Sequence, residues 1–280
     1  MIKNKKRIKN SIAHIFLAIL AFIWLVPIIW IVLTSFSTQT GIYSPNIIPK
    51  EFTLNNYIKL FTDTNQFYFA KWFANTLIVA IFSCLLSTFY VLSIAFVTSR
   101  LRFKMRKPLM NFSLVIGMFP GFMSMIAVYY IIKGLGLSQS LIALVLAYSG
   151  SAGLGFFVAK GYFDTIPKSI DESAWLDGAT KFQVFTRITI PLSKSILIYT
   201  ILISFIAPWG DYIFVSVLMG DNYDKYTVAL GLYKMLELEF IDTWYTRFAA
   251  GAVLVSIPIA ILYILLQRYY RNSLAGAVKG

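Results

Sequence analysis

The sequence predicts an all-α membrane protein with six transmembrane helices and with both termini in the cytoplasm. Apolar residues make up 58% of the 280 residues and charged residues only 13%, and the mean hydropathy is +0.72. A soluble protein of this composition would lack the polar residues to cover its core. Six apolar stretches are each close to the roughly 20 residues that a helix needs to cross about 30 Å of hydrocarbon. The predicted spans cover 12–33, 73–97, 109–132, 141–158, 196–218 and 248–266.

Residues 1–11 form a basic N-terminal stretch, 12–267 the membrane domain and 268–280 a C-terminal tail. A basic start before an apolar stretch is also typical of a signal peptide. Here the apolar stretch is too long, and no small-residue cleavage site follows it, so we expect a retained helix. Pro27 lies inside this first span and is expected to kink it.

The formal net charge of +13 would suggest nucleic-acid binding in a soluble protein. In a membrane protein it indicates basic cytoplasmic loops instead, and no nucleic-acid partner is expected. With the N-terminus inside, 18 of the 25 lysines and arginines fall on the cytoplasmic side, in or beside four regions. These regions are 1–11, 100–107, 161–195 and 268–280. The single cysteine and single histidine exclude an intrachain disulfide and give no reason to expect a metal site.

The polar segment 161–195, between the fourth and fifth spans, is built to fold. Pro167 suits the first turn of a helix, and an acidic pair at 171–172 complements the helix dipole there. Gly178 can end that helix, since glycine adopts positive φ freely. Apolar residues resume at helical spacing from Phe182, and Pro191 ends the segment. We predict a helix–turn–helix at the membrane surface.

This segment resembles the EAA loop of permease subunits of bacterial ABC importers. The match runs over 172–179 (ESAWLDGA) and continues at Phe185, Ile188 and Pro191. Two positions depart from the pattern, since Ser173 replaces a favoured alanine and Ser195 a frequent second proline. The alternative is an ordinary amphipathic loop helix at the interface.

The resemblance implies that 161–195 docks into a groove on a separate ATPase, and we call it the coupling segment. The residues that it assigns to this contact are Glu172, Ser173, Ala174, Asp177, Gly178, Ala179, Phe185 and Pro191. We expect Glu172 to form an ion pair with a basic residue of the ATPase and Gly178 to be a hinge. The two alanines and Phe185 are expected to pack into the groove.

Further stretches resemble the carbohydrate-uptake branch of these permeases. They are 52–57 (FTLNNY), 120–129, 134–137 (GLGL) and 209–211, where Gly210 departs from the family pattern. The tail 274–280 is similar to that of the maltose and maltodextrin permease subunit with a C-terminal tail. By this resemblance Val278, Lys279 and Gly280 contact the ATPase; the alternative is a frayed chain end.

The chain has no Gly-x-x-x-x-Gly-Lys-Ser/Thr loop for phosphate binding, so it is not expected to be an enzyme or to bind a cofactor itself. ATP would be bound by the partner. The resemblance implies a second homologous permease subunit, a dimeric ATPase, an extracytoplasmic sugar-binding protein and a bacterial cytoplasmic membrane around the chain.

Two further candidates lie near the predicted outer face. Asp211 is the one acidic residue inside a predicted span, which marks a candidate for the transport pathway together with Trp209; interfacial solvation is the alternative.

The loop 220–247 is too long for a simple turn. By the resemblance, Leu230, Gly231 and Leu232 enter the sugar-binding protein, with Gly231 near the tip; the alternative is a loop packed on its own helices.

Other classes of transporter remain as alternatives. A permease for another oligosaccharide or for a glycerol-phosphate-type substrate would share the same pattern. A secondary transporter would need an inverted repeat and carboxylates at mid-membrane, and neither is evident. A channel or scaffold would have no ATPase. Co-purification of an ATPase distinguishes these classes.

Overall fold

The computed structural model describes residues 2–39, 41 and 48–277, without the side chains of 2–9, 153 and 268–277. The described chain is almost entirely helical, with one isolated β-bridge between Ser37 and Phe52. This confirms the predicted all-α class, and the cytoplasmic location of both termini stays a prediction. The helices are α1 (Ile2–Ser35), α2 (Asn55–Thr62), α3 (Phe69–Arg100), α4 (Arg106–Gly117), α5 (Gly121–Gly134), α6 (Leu141–Ser151), α7 (Phe156–Asp164), α8 (Lys168–Leu176), α9 (Lys181–Leu192), α10 (Lys194–Gly210), α11 (Ile213–Met219), α12 (Val228–Lys234) and α13 (Ile241–Ala277).

Three helices of the described chain, α1, α3 and α13, are long and apolar enough to cross a membrane as single helices. Three pairs of helices qualify only when each bent pair is counted as one span, which gives up to six. The bends measure 106° between α4 and α5, 40° between α6 and α7, and 86° between α9 and α10. The first helix passes through Pro27 without ending.

The fourth predicted span is interrupted by a 3-10 turn at Ala152–Gly155, and two other predicted spans are not continuous helices either. The third is broken between α4 and α5 at Pro120, whose missing N–H and extended backbone (ψ 133°) interrupt the helix. The fifth ends at Gly210, because Asp211 is extended (φ −89°, ψ 105°) and the helix resumes only at Ile213. Both breaks place irregular backbone inside an apolar stretch, which is tolerated in membranes only where protein or a water-filled cavity surrounds it.

The described residues form two compact units, one from 1–69 with 232–256 and one from 70–231 with 257–280. In the first unit the short helix α2 is fastened by polar bonds. Asn56 Nδ2 donates to the carbonyls of Ser35 (3.0 Å) and Ser37 (2.8 Å). Arg247 Nη1 pairs with Asp63 Oδ2 at 2.7 Å. The bond to Ser35 satisfies a carbonyl at the end of α1, which has no partner inside that helix.

In the second unit the core joins α3 and α7 to the coupling segment. Its buried members come from α3, α7, α9 and α10, and they are Val91, Leu92, Ala95, Phe96, Phe156, Ala159, Phe163, Val184 and Ile196. Because two of the four helices belong to the coupling segment or begin in it, that segment is part of the folded core and not a tether.

Candidate functional site

The coupling segment contains the two helices predicted for it, α8 and α9, and the turn between them. Gly178 lies in the turn with φ +85°, and an added Cβ would meet nothing within 4 Å. The N–H of Gly178 bonds to the Trp175 carbonyl (3.1 Å) and that of Ala179 to the Ala174 carbonyl (2.9 Å). This is the Schellman arrangement, which satisfies carbonyls at a helix C-terminus. Glycine is therefore required here by backbone conformation and not by lack of space.

The second helix, α9, starts with a capping box. Thr180 accepts from the N–H of Gln183 (3.2 Å), and Gln183 accepts from the N–H of Thr180 (2.7 Å). Residues 184–189 of this helix are wound as a π-helix. Pro191 follows and has no N–H to donate. The regular hydrogen-bond pattern of an α-helix is therefore already interrupted at this end of the π-helical residues.

One face of the coupling segment packs against the rest of its own chain. Ala174, Ala179 and Phe185 pack against the core of the second unit. The rings of Phe185 and Phe96 lie 5.0 Å apart. These three residues therefore form part of the apolar face that the helices bury against the membrane domain. All three stay partly exposed, and their contact with a partner's groove stays a prediction.

The other residues predicted for the ATPase contact are exposed, and they are Glu172, Ser173, Asp177, Gly178 and Pro191.

Two large apolar side chains share this exposure, Leu176 at 88% and Phe182 at 70%. Sequence reasoning did not assign them to the contact. Their position on either side of the Gly178 turn is visible in the sequence. The sequence alone does not show, however, which face of each helix is buried and which is exposed.

A buried ion pair joins the coupling segment to the C-terminal end of α3. Arg100 Nε lies 2.8 Å from Asp171 Oδ2, and the two side chains are 1% and 2% exposed. Arg100 Nη2 also donates to the Ile166 carbonyl at 3.1 Å. Burial raises the pKa of Asp171, Arg100 opposes this shift, and Glu172 adds to it. Asp171 was predicted only to complement a helix dipole, so this pair was missed.

The neighbouring residue of α3 makes a second connection. Ser99 Oγ donates to Asp164 Oδ1 at 2.6 Å, and Lys160 Nζ pairs with Asp164 Oδ2. Two consecutive residues, 99 and 100, therefore hold the C-terminus of α7 and the first turn of α8. We call Arg100, Asp171, Ser99 and Asp164 the clasp.

Asp211 lies at the break between α10 and α11. Its Oδ1 accepts from the N–H of Phe214 and its Oδ2 from the hydroxyl of Tyr148, both at 3.0 Å. Asp211 thus caps α11 and is tied to α6. Both acid and tyrosine line a cavity of about 450 Å3. Its other lining residues come from α5, α6 and α11 and include Phe122, Ser124, Met125, Val128, Ala147 and Ser151.

Trp209 lies elsewhere. It is 3% exposed and packs edge-on against Phe73, with ring centres 5.3 Å apart. It does not line the cavity of Asp211. Trp209 therefore lies in the core, where its ring packs between α10 and α3, and its place in a transport pathway stays a prediction.

Residues 220–231 are held against the N-terminal end of α3. Asn75 Nδ2 donates to the carbonyls of Asp224 (2.9 Å) and Tyr226 (3.0 Å). Trp72 Nε1 donates to the Tyr223 carbonyl at 2.7 Å. Thr76 Oγ1 accepts from the N–H of Val228 at 2.8 Å. We call these bonds the strap.

The prediction that Gly231 lies near a loop tip is wrong. Gly231 is inside α12, and an added Cβ would lie 1.9 Å from Cε3 of Trp72. Leu230 is 1% exposed and Leu232 is 7% exposed. The apolar stretch is therefore a buried helix that needs glycine for close approach. The exposed residue nearby is Leu238, at 94%.

The predicted ATPase contact of Val278, Lys279 and Gly280 lies outside the described residues. The last described helix, α13, runs to Ala277.

Comparison with known proteins gives a family for this chain. Residues 90–275 match the profile of the "binding-protein-dependent transport system inner membrane component". A galactooligosaccharides transport system permease of Bacillus subtilis is 33% identical, over 99% of this chain and 98% of its own length. A maltodextrin transport system permease of Streptococcus pneumoniae is 32% identical, over 100% and 99%.

Among solved structures, a bacterial ABC transporter involved in the import of the acidic polysaccharide alginate has a similar fold. The TM-score is 0.79 with 24% identity, over 94% of this chain and 97% of that one. The family match covers both the clasp and the cavity of Asp211, and the full-length relatives are sugar permeases. The chain therefore belongs to the family of inner-membrane components of binding-protein-dependent transport systems, and it is a permease of an ABC sugar importer.

Proposed function

We propose that this chain carries a neutral oligosaccharide, of the maltodextrin type, and couples its passage to ATP hydrolysis by a separate ATPase. The observation that carries the proposal is the two-faced coupling segment. One face is buried in the membrane domain, and the other exposes Leu176 and Phe182.

The exposed face has the features of a docking surface. Many protein contacts are anchored by a few large apolar side chains that are exposed in the free protein and surrounded by polar ones. Leu176 and Phe182 are the anchors in this proposal, beside the partly buried Ala174, Ala179 and Phe185. Glu172 lies exposed on the first of the two helices and remains our candidate for an ion pair with a basic residue of the ATPase.

The buried face accounts for transmission of force. A displacement of α8 acts directly on α3 and α7, because the clasp and the apolar core hold these helices together. Closely packed interiors do not deform continuously, so such a displacement moves whole helices. ATP is bound by the partner, and this chain contributes the moving helices.

The cavity of Asp211 is our candidate for the sugar path. Sugars are held by aromatic rings and hydrogen-bonding groups, and this cavity offers Tyr148, Phe122, Ser124 and Asp211. An acidic polysaccharide or a glycerol phosphate would bring negative charge against Asp211. The charge therefore favours a neutral oligosaccharide, and a galactooligosaccharide is the second candidate because one of the relatives is named for that transport.

The remaining partners follow from the family. We propose a second homologous permease subunit, a dimeric ATPase and an extracytoplasmic sugar-binding protein. The exposed Leu238 is the contact that we propose for the binding protein, since residues 230–232 are buried. The tail residues Val278, Lys279 and Gly280 are proposed to reach the ATPase.

Reconstituted complexes test the proposal. Proteoliposomes should take up labelled maltooligosaccharides with ATP and not without it. Unlabelled galactooligosaccharide should compete less well, and alginate oligomers should not compete. ATP-independent uptake would refute the coupling, and equal competition by alginate would refute the neutral substrate.

A matched pair of variants tests the two surfaces. Leu176→Asp should release the ATPase on co-purification, and Leu238→Asp should leave the ATPase bound but abolish stimulation by the binding protein. If Leu176→Asp retains its ATPase and its uptake, the exposed face is not the docking surface.

A further inference from the structure

A second polar cavity, of about 380 Å3, lies between the connection from α3 to α4 and the first helix of the coupling segment. Its lining is strongly basic. Two carboxylates, Asp171 and Glu172, face five cations, which leaves an excess of three positive charges. The cations are Arg100, Arg102, Arg106, Lys168 and Lys181.

Three buried donor atoms in the lining make no hydrogen bond among the described residues, and they are Arg100 Nε, Arg100 Nη1 and Trp175 Nε1. Arg100 is 1% exposed, and its Nη1 makes no hydrogen bond even though its Nη2 and Nε face Ile166 and Asp171. The indole N–H of Trp175 is also buried without a partner. An unpaired buried donor is costly, and one on a charged group more so. The oxygens of Asp171 also make no hydrogen bond, but the five cations still outnumber the two carboxylates. The lining therefore favours a further group that accepts hydrogen bonds and carries negative charge.

A phosphate group has these properties. It is compact, presents several acceptor oxygens, and matches the planar fork of an arginine. The cavity also opens where α3, a helix of membrane length, ends at Arg100. We infer that the end of this membrane-length helix lies near the headgroup level, and basic pockets between membrane helices bind phosphate headgroups.

We propose that this cavity is a binding site for a phosphate group, carried by an anionic phospholipid or as free phosphate. The group would accept hydrogen bonds from Arg100 and Trp175. Arg102 and Arg106 on one wall and Lys168 and Lys181 on the other would neutralise its charge. This site is separate from the cavity of Asp211.

The test uses the complete transporter complex, purified in detergent and stripped of lipid. Phosphatidylglycerol is titrated in one arm, and bound lipids are counted by native mass spectrometry. In the second arm, radiolabelled inorganic phosphate is measured by equilibrium dialysis. Arg102→Gln/Arg106→Gln removes two cavity charges. Lys104→Gln/Lys107→Gln removes two charges from the same stretch at residues that do not line the cavity.

We expect the arginine variant to bind one phosphate-bearing ligand fewer per chain, with at least a fivefold loss of affinity, and the lysine control to change less than twofold. A response in the lipid arm alone assigns the ligand to the membrane. A response in the phosphate arm alone assigns it to free phosphate. If the arginine variant fails to assemble, Lys168→Gln/Lys181→Gln replaces it with the same expectation. Equal binding by wild type and cavity variant in both arms, or equal losses in cavity variant and control, would overturn the proposal.

Discussion

The two ends of α3 are both fastened to polar segments, but by different chemistry. At the N-terminal end, the strap consists of neutral side chains that bond to the backbone of 223–228. At the C-terminal end, the clasp joins Arg100 to Asp171 as a fully buried ion pair. A neutral hydrogen bond contributes about 0.5–1.5 kcal/mol net. Breaking one half of a buried ion pair costs about 3–5 kcal/mol. Loss of one side chain should therefore damage the C-terminal end far more than the N-terminal end.

The largest effect is expected for Arg100→Met, which leaves Asp171 charged and buried without its partner. We expect a loss of about 3–5 kcal/mol in the free energy of unfolding. The measurement is the unfolding midpoint of the complex in mixed micelles with increasing dodecyl sulfate. The double variant Arg100→Met/Asp171→Leu should recover most of this loss, since neither charge remains. An equal loss in the single and double variants would show that the ion pair is not what fastens this end.

A smaller loss is expected for Gly231→Ala at the strap. The added methyl group would lie 1.9 Å from the ring of Trp72, which is fully buried. Overpacking of this kind costs about 1–3 kcal/mol. Gly134→Ala is the matched control, because it is also helical and has nothing within 4 Å. The control should be neutral or slightly stabilising. If Gly231→Ala and Gly134→Ala unfolded at the same midpoint, the close contact between α12 and Trp72 would be incorrect.

Asn75→Ala should cost about 1–2 kcal/mol, since it removes two hydrogen bonds to backbone carbonyls. Hydrogen exchange locates the effect. Amides of 220–231 should exchange faster, while those of 161–195 keep their wild-type rates. Faster exchange in both segments would mean that the two ends of α3 are not fastened independently.

The smallest effect is expected for Lys71→Gln. Lys71 Nζ lies 2.7 Å from Asp224 Oδ1, but both side chains are about half exposed or more. The hydrogen bond from Lys71 lowers the pKa of Asp224, so any stabilisation is present above the usual aspartate pKa and is lost as the pH falls. Solvent screens such pairs. We expect no measurable change in the unfolding midpoint at pH 7, and a change as large as that of Asn75→Ala would remove the contrast between neutral and charged attachment.

Periodicity and composition predicted the elements well. The coupling segment folds into helices on either side of Gly178, as predicted. These features depend on nearby residues, which a single sequence displays directly. The break at Pro120 had a visible signal, the missing N–H, but apolar composition alone favoured one continuous span.

The clasp and the strap could not be predicted in this way. Arg100 and Asp171 lie in different polar segments, and only the packing of α3 against α8 brings them together. Similarly, the apolar pattern of α12 suits a buried helix as well as an inserted loop. Only the contact with Trp72 decides between them. Amphipathic spacing identifies two faces of a helix, but it does not say which face meets a partner.

The strap also has a consequence for sequence divergence. Trp72 and Asn75 bond to the carbonyls of Tyr223 and Asp224, and every residue type presents a carbonyl at those positions. The side chains of 223 and 224 themselves are substantially exposed. Substitutions at 223 and 224 can alter the surface that other proteins contact, while the hydrogen bonds from Trp72 and Asn75 to the backbone persist. Asp171 has no such freedom, because Arg100 requires a carboxylate at that position. Related permeases can therefore acquire new surfaces at the N-terminal end of α3 with fewer compensating changes than at its C-terminal end.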